Sequence, residues 1–319
     1  MEGAAIEYNT MNIGSFSSIV RLTTLLSCFL AVSTVKGQTF FLKETFAGTA
    51  DSTAPTGWQA RRISGGTTAG FRFDNRANLQ TSYPLQAPFA AFDAPGSMYE
   101  GSSQVVALES PELDLTGRDK LLLSYDHQYV AGSEASGKVQ VLANNVWTDV
   151  ETYTQSSQGS PSVVIDLSNQ LANIKNARVR FLWTGKNTGS WVLDNVKLFA
   201  PITLDVGVVS IDAPISPFGE GPSPIEVSLF NYGATTVSRS KISWSVNGNI
   251  QPDITWTGTL DFGKKRSGIR LGTVDMRAGA SYLLKVWTDD PNAQLDGNPS
   301  NDTTIRVLIP SLSGKLVPR

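Results

Sequence analysis

The stretch Ser190-Trp191-Val192-Leu193-Asp194-Asn195-Val196-Lys197-Leu198-Phe199 decides the fold class. It belongs to a chain that, from Phe40 onward, shows period-two alternation and turn residues with almost no helical periodicity. On an extended chain successive side chains point to opposite faces, so Val192, Asp194, Val196 and Leu198 are expected to share one face. Phe40-Phe41-Leu42-Lys43-Glu44-Thr45-Phe46 repeats the pattern, with Phe40, Leu42, Glu44 and Phe46 on a common face. Both Asp194 and Glu44 then point with an apolar set. A buried carboxylate left unpaired costs several kcal/mol, so each must meet a cation, strong donors or a proton.

Working outward, short alternating runs appear at 105–108, 120–130, 138–142, 162–166 and 177–183, separated by Gly, Ser, Asn and Pro. Only 167–174 reads as a short helical turn, with Ser168 as its cap. Ala200-Pro201 closes this set. A second series follows at 204–211, 225–230, 241–246, 254–260, 281–288 and 303–309, the strand length and spacing of a sandwich of about seven strands. Asn231-Tyr232-Gly233 and Asn247-Gly248-Asn249 supply the positive-φ residues of tight turns. The chain therefore reads as all-β, with modules at 38–200 and 201–310. Residues 311–319 read as a tail or as a tag remnant, since Leu316-Val317-Pro318-Arg319 matches a thrombin recognition tetrapeptide.

Composition narrows the function. The 319 residues carry 26 Lys and Arg against 28 Asp and Glu, with no basic run longer than Lys264-Lys265-Arg266, so the electrostatic footprint of a nucleic-acid binder is missing. One His and one Cys support neither a multi-histidine metal site nor an internal disulfide. No GxSxG or HExxH motif occurs. His127 alternates with Leu123, Tyr125 and Tyr129 and reads as a packing residue on an aromatic strand face. The apolar run 22–33 behind Arg21 has the form of a secretory signal, with cleavage expected before Gln38 and Met11 as an alternative start. It is too short for a membrane span of ~20 residues. These readings place the protein outside the cell or at its surface.

Five motifs, in order, carry a resemblance: Glu44-Thr45-Phe46, Pro55-Thr56-Gly57-Trp58, Leu108-Glu109-Ser110-Pro111-Glu112-Leu113-Asp114-Leu115, Ile165-Asp166-Leu167-Ser168 and Trp191-Val192-Leu193-Asp194-Asn195-Val196. Over about 39–200 the chain resembles the secreted MAM-like jelly-roll modules of bacteria, the choice-of-anchor J or cleaved-adhesin domains. The family often carries two acidic residues before the closing Val, where this chain has Asp194 and Asn195. The second module resembles the Ig-like domains that follow such jelly rolls in secreted Bacteroidetes proteins, through 204–208, 227–233, 244–248 and 301–303. The resemblance implies a jelly-roll β-sandwich followed by an Ig-like or fibronectin-like one.

It also implies calcium. Jelly-roll topology can set the first and last strands side by side, bringing Glu44 and Asp194 together where the family places Ca²⁺. Asp74, Asn75 and Asp93 are candidates to complete its 6–8 oxygen ligands. The alternative is a carboxylate pair held by Arg, Ser and backbone N–H groups. The acidic stretch Asp289, Asp290, Asp296, Asn298, Asn301 and Asp302 misses the EF-hand spacing and, with Pro291, Gly297 and Pro299, reads as a turn before the last strand. Tyr83, Tyr99, Trp58 and Trp147 are candidate ligand-binding aromatics in or beside loops. The expected function is a non-catalytic adhesion module that binds glycan or protein. The alternatives are an accessory region of an extracellular hydrolase and a purely structural stalk.

Overall fold

The computed structural model describes residues 38–48, 53–65, 70–75, 78–81, 85–93, 103–132, 134–157, 162–186 and 189–311. The expected leader, Tyr83, Tyr99 and the final eight residues lie outside them. The fold is all-β, with antiparallel sheets in two sandwich-like bodies. Among the described residues no helix is long and apolar enough to cross a membrane.

The first body contains β1 (Thr39–Glu44), β2 (Gln59–Ser64), β3 (Ala90–Asp93), β4 (Gln104–Glu109), β5 (Leu122–Val130), β6 (Ser136–Ala143), β7 (Val146–Tyr153), β8 (Ser162–Asp166), β9 (Arg178–Gly185) and β10 (Ser190–Ala200). One sheet runs β1-β10-β5-β8, with β3 also paired to β10, and the other runs β2-β4-β9-β6-β7. Between them Val106, Leu108, Tyr125, Val179, Phe181, Trp183, Trp191 and Leu193 form a closed core. Each large apolar side chain buried there contributes roughly 1.5–3 kcal/mol. His127 belongs to this aromatic packing, accepting at Nδ1 from Trp191 Nε1 at 3.3 Å and lying 4.4 Å from the Tyr153 ring. The helical turn forms at Ser168–Leu171, but Leu167 precedes it and Ser168 is inside it, so Ser168 is not the cap.

The strands β1 and β10 are antiparallel neighbours, with Glu44 opposite Val196. Alternation along β10 is interrupted, however. Asn195 takes φ 52°, and the pairing with β5 shifts between Asp194 and Lys197. This bulge puts Trp191 and Leu193 on the core side before it and Val196 and Leu198 on the core side after it. Val192 faces the other way, into a separate apolar cluster with Leu85, Phe89 and Ala91. Asp194 is thus not on a face shared with Val196 and Leu198, as uniform alternation required. A similar irregularity between Phe40 and Leu42 leaves Phe40 exposed against Phe199, while Leu42 enters the core.

The second body contains β11 (Val206–Ala213), β12 (Gly221–Asn231), β13 (Val237–Val246), β14 (Asn249–Ile250), β15 (Ile254–Leu260), β16 (Lys265–Met276), β17 (Tyr282–Asp289) and β18 (Thr303–Leu308). Its sheets are β11-β12-β16 and β14-β13-β17-β18, with β15 also on β13. Val206, Val227, Leu229, Ile242, Trp244, Leu284 and Val286 are among the residues of its own core.

Candidate metal centre

Asp205, Asp296 and Asp302 converge at one end of the second body, each offering an oxygen within 4.8 Å of the others. They come from three places in the chain. Asp205 immediately precedes β11, Asp302 immediately precedes β18, and Asp296 lies in the loop that leads from β17 to β18. Two glycines allow that loop to press on β11. A Cβ at Gly207 would lie 2.4 Å from the Asn301 carbonyl oxygen, and one at Gly297 would lie 2.5 Å from Ile202 Cδ1.

Hydrogen bonds orient Asp296 and Asp205 without saturating them. Asp296 accepts from the Val206 backbone N–H at 2.9 Å through Oδ2 and from Asn298 N–H at 2.7 Å through Oδ1. Asp205 is fully buried and accepts from Asn301 Nδ2 at 3.0 Å and, more weakly, from Asn298 Nδ2 at 3.5 Å. Asp302 is 7% exposed, and its Oδ1 is buried with no hydrogen-bond partner. The amide oxygen of Asn301 is in the same condition. Among the described residues no Lys or Arg forms an ion pair with any of the three acids.

Burial without a counter-charge raises all three carboxyls. Burial first, then the charges of Asp296 and Asp205, pushes Asp302 up to about 8. Asp205 is pushed up to about 7 by burial and by Asp296, against the opposing bonds from Asn301 and Asn298. Asp296 is raised by burial, partly offset by its two backbone donors. Such a group is satisfied by protons or by a cation. The donor set is all oxygen, which matches a hard divalent ion and not a thiolate- or imidazole-seeking one. The buried Asp triad can therefore hold a metal. The sequence reading took 289–302 as a turn. Two ligands of the triad do lie in that stretch, but the third is 91 residues upstream of Asp296, and only the folded contact joins them.

The expected residues of the first body are placed differently. Asp194 is buried, accepts from the backbone of Asn195 at 2.7 Å and from that of Gln86, and stands opposite Asp126. Burial, with Asp126 and Glu44 adding negative charge, pushes it up to about 6. Asp126 accepts from Ser162 Oγ at 2.5 Å and Asn195 Nδ2 at 2.7 Å, and Glu44 from Phe46 N–H at 2.6 Å. Asp74 pairs with Arg72, Asn75 caps the turn to Leu79, and Asp93 ends β3 opposite Ser190. Trp58 is buried in the core edge-on to Phe46 and is removed from the ligand-binding set by that packing. Trp147, half-buried on β7, keeps part of its surface outside and carries the Arg180 guanidinium over its ring at 3.9 Å.

No family model matches the chain, and no curated protein matches it in sequence. Solved structures similar to parts of it include the K3 cleaved-adhesin domain of Lys-gingipain from Porphyromonas gingivalis, 13% identical, covering 51% of this chain and 99% of that one, with a TM-score of 0.38. A CARDB domain from Pyrococcus furiosus, solved in complex with di-metal ions, is 18% identical and covers 35% of this chain and 91% of its own, with a TM-score of 0.28. A carbohydrate-binding module solved with β-1,4-galactotriose is 11% identical, covering 51% and 99%, with a TM-score of 0.31.

Proposed function

We propose that this chain is an extracellular, non-catalytic binding module whose second sandwich, beginning at about residue 201, is locked by one Ca²⁺ held by Asp205, Asp296 and Asp302. The observation that carries the reading is the buried, partnerless Oδ1 of Asp302 beside the buried Asp205 and the half-buried Asp296. Asn301 offers a neutral amide oxygen beside them, and solvent supplies the rest of a shell of 6–8 oxygens. The ion would join the start of β11 to the start of β18 and offset repulsion that otherwise opposes closure of the loop.

The cation belongs here rather than at Glu44 and Asp194 because, among the described residues, the three converging acids are Asp205, Asp296 and Asp302, and the buried carboxylate oxygen without a donor is Asp302's. A pair of carboxylates for hydrolysis has to open onto a substrate, whereas Asp205 and Asp302 are closed under the loop. The recognition surface falls to the first sandwich, with glycan or protein as partner.

Thermal unfolding in Ca²⁺ and in excess EDTA, run beside a reducing-sugar assay on polysaccharides that retain the protein, tests this reading. Calcium at about a hundredfold excess over Kd adds about 2.7 kcal/mol, a rise of roughly 5–10 °C in Tm. Retention without release of reducing ends is the expected companion result. No calcium response, or steady release of sugar ends, contradicts the proposal.

A further inference from the structure

The outward face of the β2-β4-β9-β6-β7 sheet carries a row of polar side chains that crosses all five strands. Gln59 is opposite Glu109, Glu109 opposite Arg180, Arg180 opposite Gln140, and Gln140 opposite Asp149. Residues directly opposed in an antiparallel pair lie on one face. Their chain neighbours Leu108, Val179, Phe181, Val139 and Val141 point into the core.

This row is built, although it faces outward. Glu109 is 3% exposed, with Arg61 donating to one carboxylate oxygen at 3.1 Å and Arg180 to the other at 3.5 Å. Arg180 also donates to Gln140 Oε1 at 2.6 Å, and Gln140 donates to Asp149, which Lys138 reaches at 2.6 Å. The adjoining row is Arg178, Leu142 and Trp147. Between the two rows lies a cavity of about 280 Å³ lined by Gln59, Arg61, Glu109, Leu142, Trp147 and Arg178. That is below the ~300–1,000 Å³ of most small-molecule pockets, the scale of a single ring.

We propose that this cavity binds one residue of an acidic saccharide, its ring on Trp147 and Leu142 and its carboxylate between Arg61 and Arg178. The inference rests on the binding-module reading above. Arg61 and Arg178 line the cavity with Glu109, whose carboxylate is already shared by Arg61 and Arg180. Arg178 donates to the Ser110 carbonyl at 3.1 Å and lies 3.6 Å from the exposed Glu112, contacts that fix its direction and leave further donors of its fork for a ligand. Planar guanidinium forks recognise carboxylates with two parallel hydrogen bonds, which a neutral hydroxyl cannot reproduce. Arg180 covers one face of the Trp147 indole at 3.9 Å, and it is the opposite face that gives a pyranose an apolar rest at low entropic cost. An extended acidic peptide is the poorer fit, because peptides take main-chain bonds from a sheet edge. Glu109, Arg178 and Leu142 of the lining stand on β4, β9 and β6, which are paired on both sides, while Gln59, Arg61 and Trp147 come from the edge strands β2 and β7.

Calorimetry on the full chain with a galacturonate trisaccharide, its methyl ester and a short polyglutamate tests the assignment. The acid is expected to bind about tenfold or more tighter than the ester, with affinity falling as salt rises. Arg61→Gln and Arg178→Gln should each lower acid binding toward the level of the ester, Trp147→Ala should weaken acid and ester alike, and Trp147→Phe should restore part of the loss. Arg178→Gln and Trp147→Phe should keep the parent Tm, whereas Arg61→Gln removes one of the two cations on the buried Glu109 and should lower it, so its binding is read well below its own Tm. Equal binding of acid and ester, unmoved by the Arg variants, overturns the acidic pocket while leaving a glycan-binding module in place. Binding of polyglutamate alone, or of none of the three, also overturns the pocket. Neither outcome touches the calcium response of the other sandwich, which stands or falls by its own measurement.

Discussion

Asp302 concentrates the conflict in the second sandwich. The residue is 7% exposed, has a buried carboxylate oxygen without a donor, and offers an oxygen within 4.8 Å of two other acids. Replacing it by Asn keeps the shape and removes one like charge. Asp302→Asn should therefore unfold in EDTA at the parent temperature or above it, while losing the calcium-dependent rise. A purely structural Asp would show a lower Tm in both conditions. His127 makes a second prediction at this scale. Burial holds its imidazole down to about 4, so it is neutral in the fold and protonates in the unfolded chain near 6.5. Its contribution to stability is complete above pH 6.5 and is lost as pH falls toward 4, about 3 kcal/mol over that interval. The chain has one histidine, so its imidazole resonances are unambiguous. They should not move between pH 8 and pH 5 in the folded protein, and a midpoint near 6.5 would show an exposed ring.

At the scale of the element, the bulge in β10 and the approach of the 289–302 loop to β11 carry the argument. Asn195 holds φ 52° and donates to Asp126, so a β-branched residue there loses a hydrogen bond and meets a steric penalty. Asn195→Val should cost about 2 kcal/mol by chemical denaturation. Gly207→Ala drives a methyl group toward the Asn301 carbonyl and should weaken calcium binding about tenfold or more, read by titration. Period-two alternation located β5, β9, β10, β13 and β17 because their inward residues meet closed cores. It passed over β2, whose residues Gln59-Ala60-Arg61-Arg62-Ile63-Ser64 are all exposed, and β16, where Gly268 and Gly272 break the pattern. It misplaced the face of Asp194 because one bulge reverses every side chain after it. The outward ladder on β4 and β9 left no local signal, since its members meet only across strands.

For the whole molecule, each sandwich has its own apolar core, and damage deep in one should spare the site in the other. Leu108→Ala, in the first core, should cost about 2–5 kcal/mol and leave calcium affinity within about twofold. The all-β class and the pair of sandwiches were legible in strand spacing and turn residues. The triad was not, because Asp205 and Asp302 stand at the starts of the first and last strands of the second body, neighbours only after its sheets close. The expected calcium pair, Glu44 and Asp194, rests on one strand pairing, and neither acid is among the buried side-chain oxygens left without a donor in the fold. The central claim is a single cation site at the triad. Calcium titration calorimetry of the chain beside Asp302→Asn and Asp194→Asn reads it directly. One ion bound by the parent and by Asp194→Asn, and none by Asp302→Asn, is the predicted result; no binding by the parent, or binding lost with Asp194 and kept without Asp302, contradicts it.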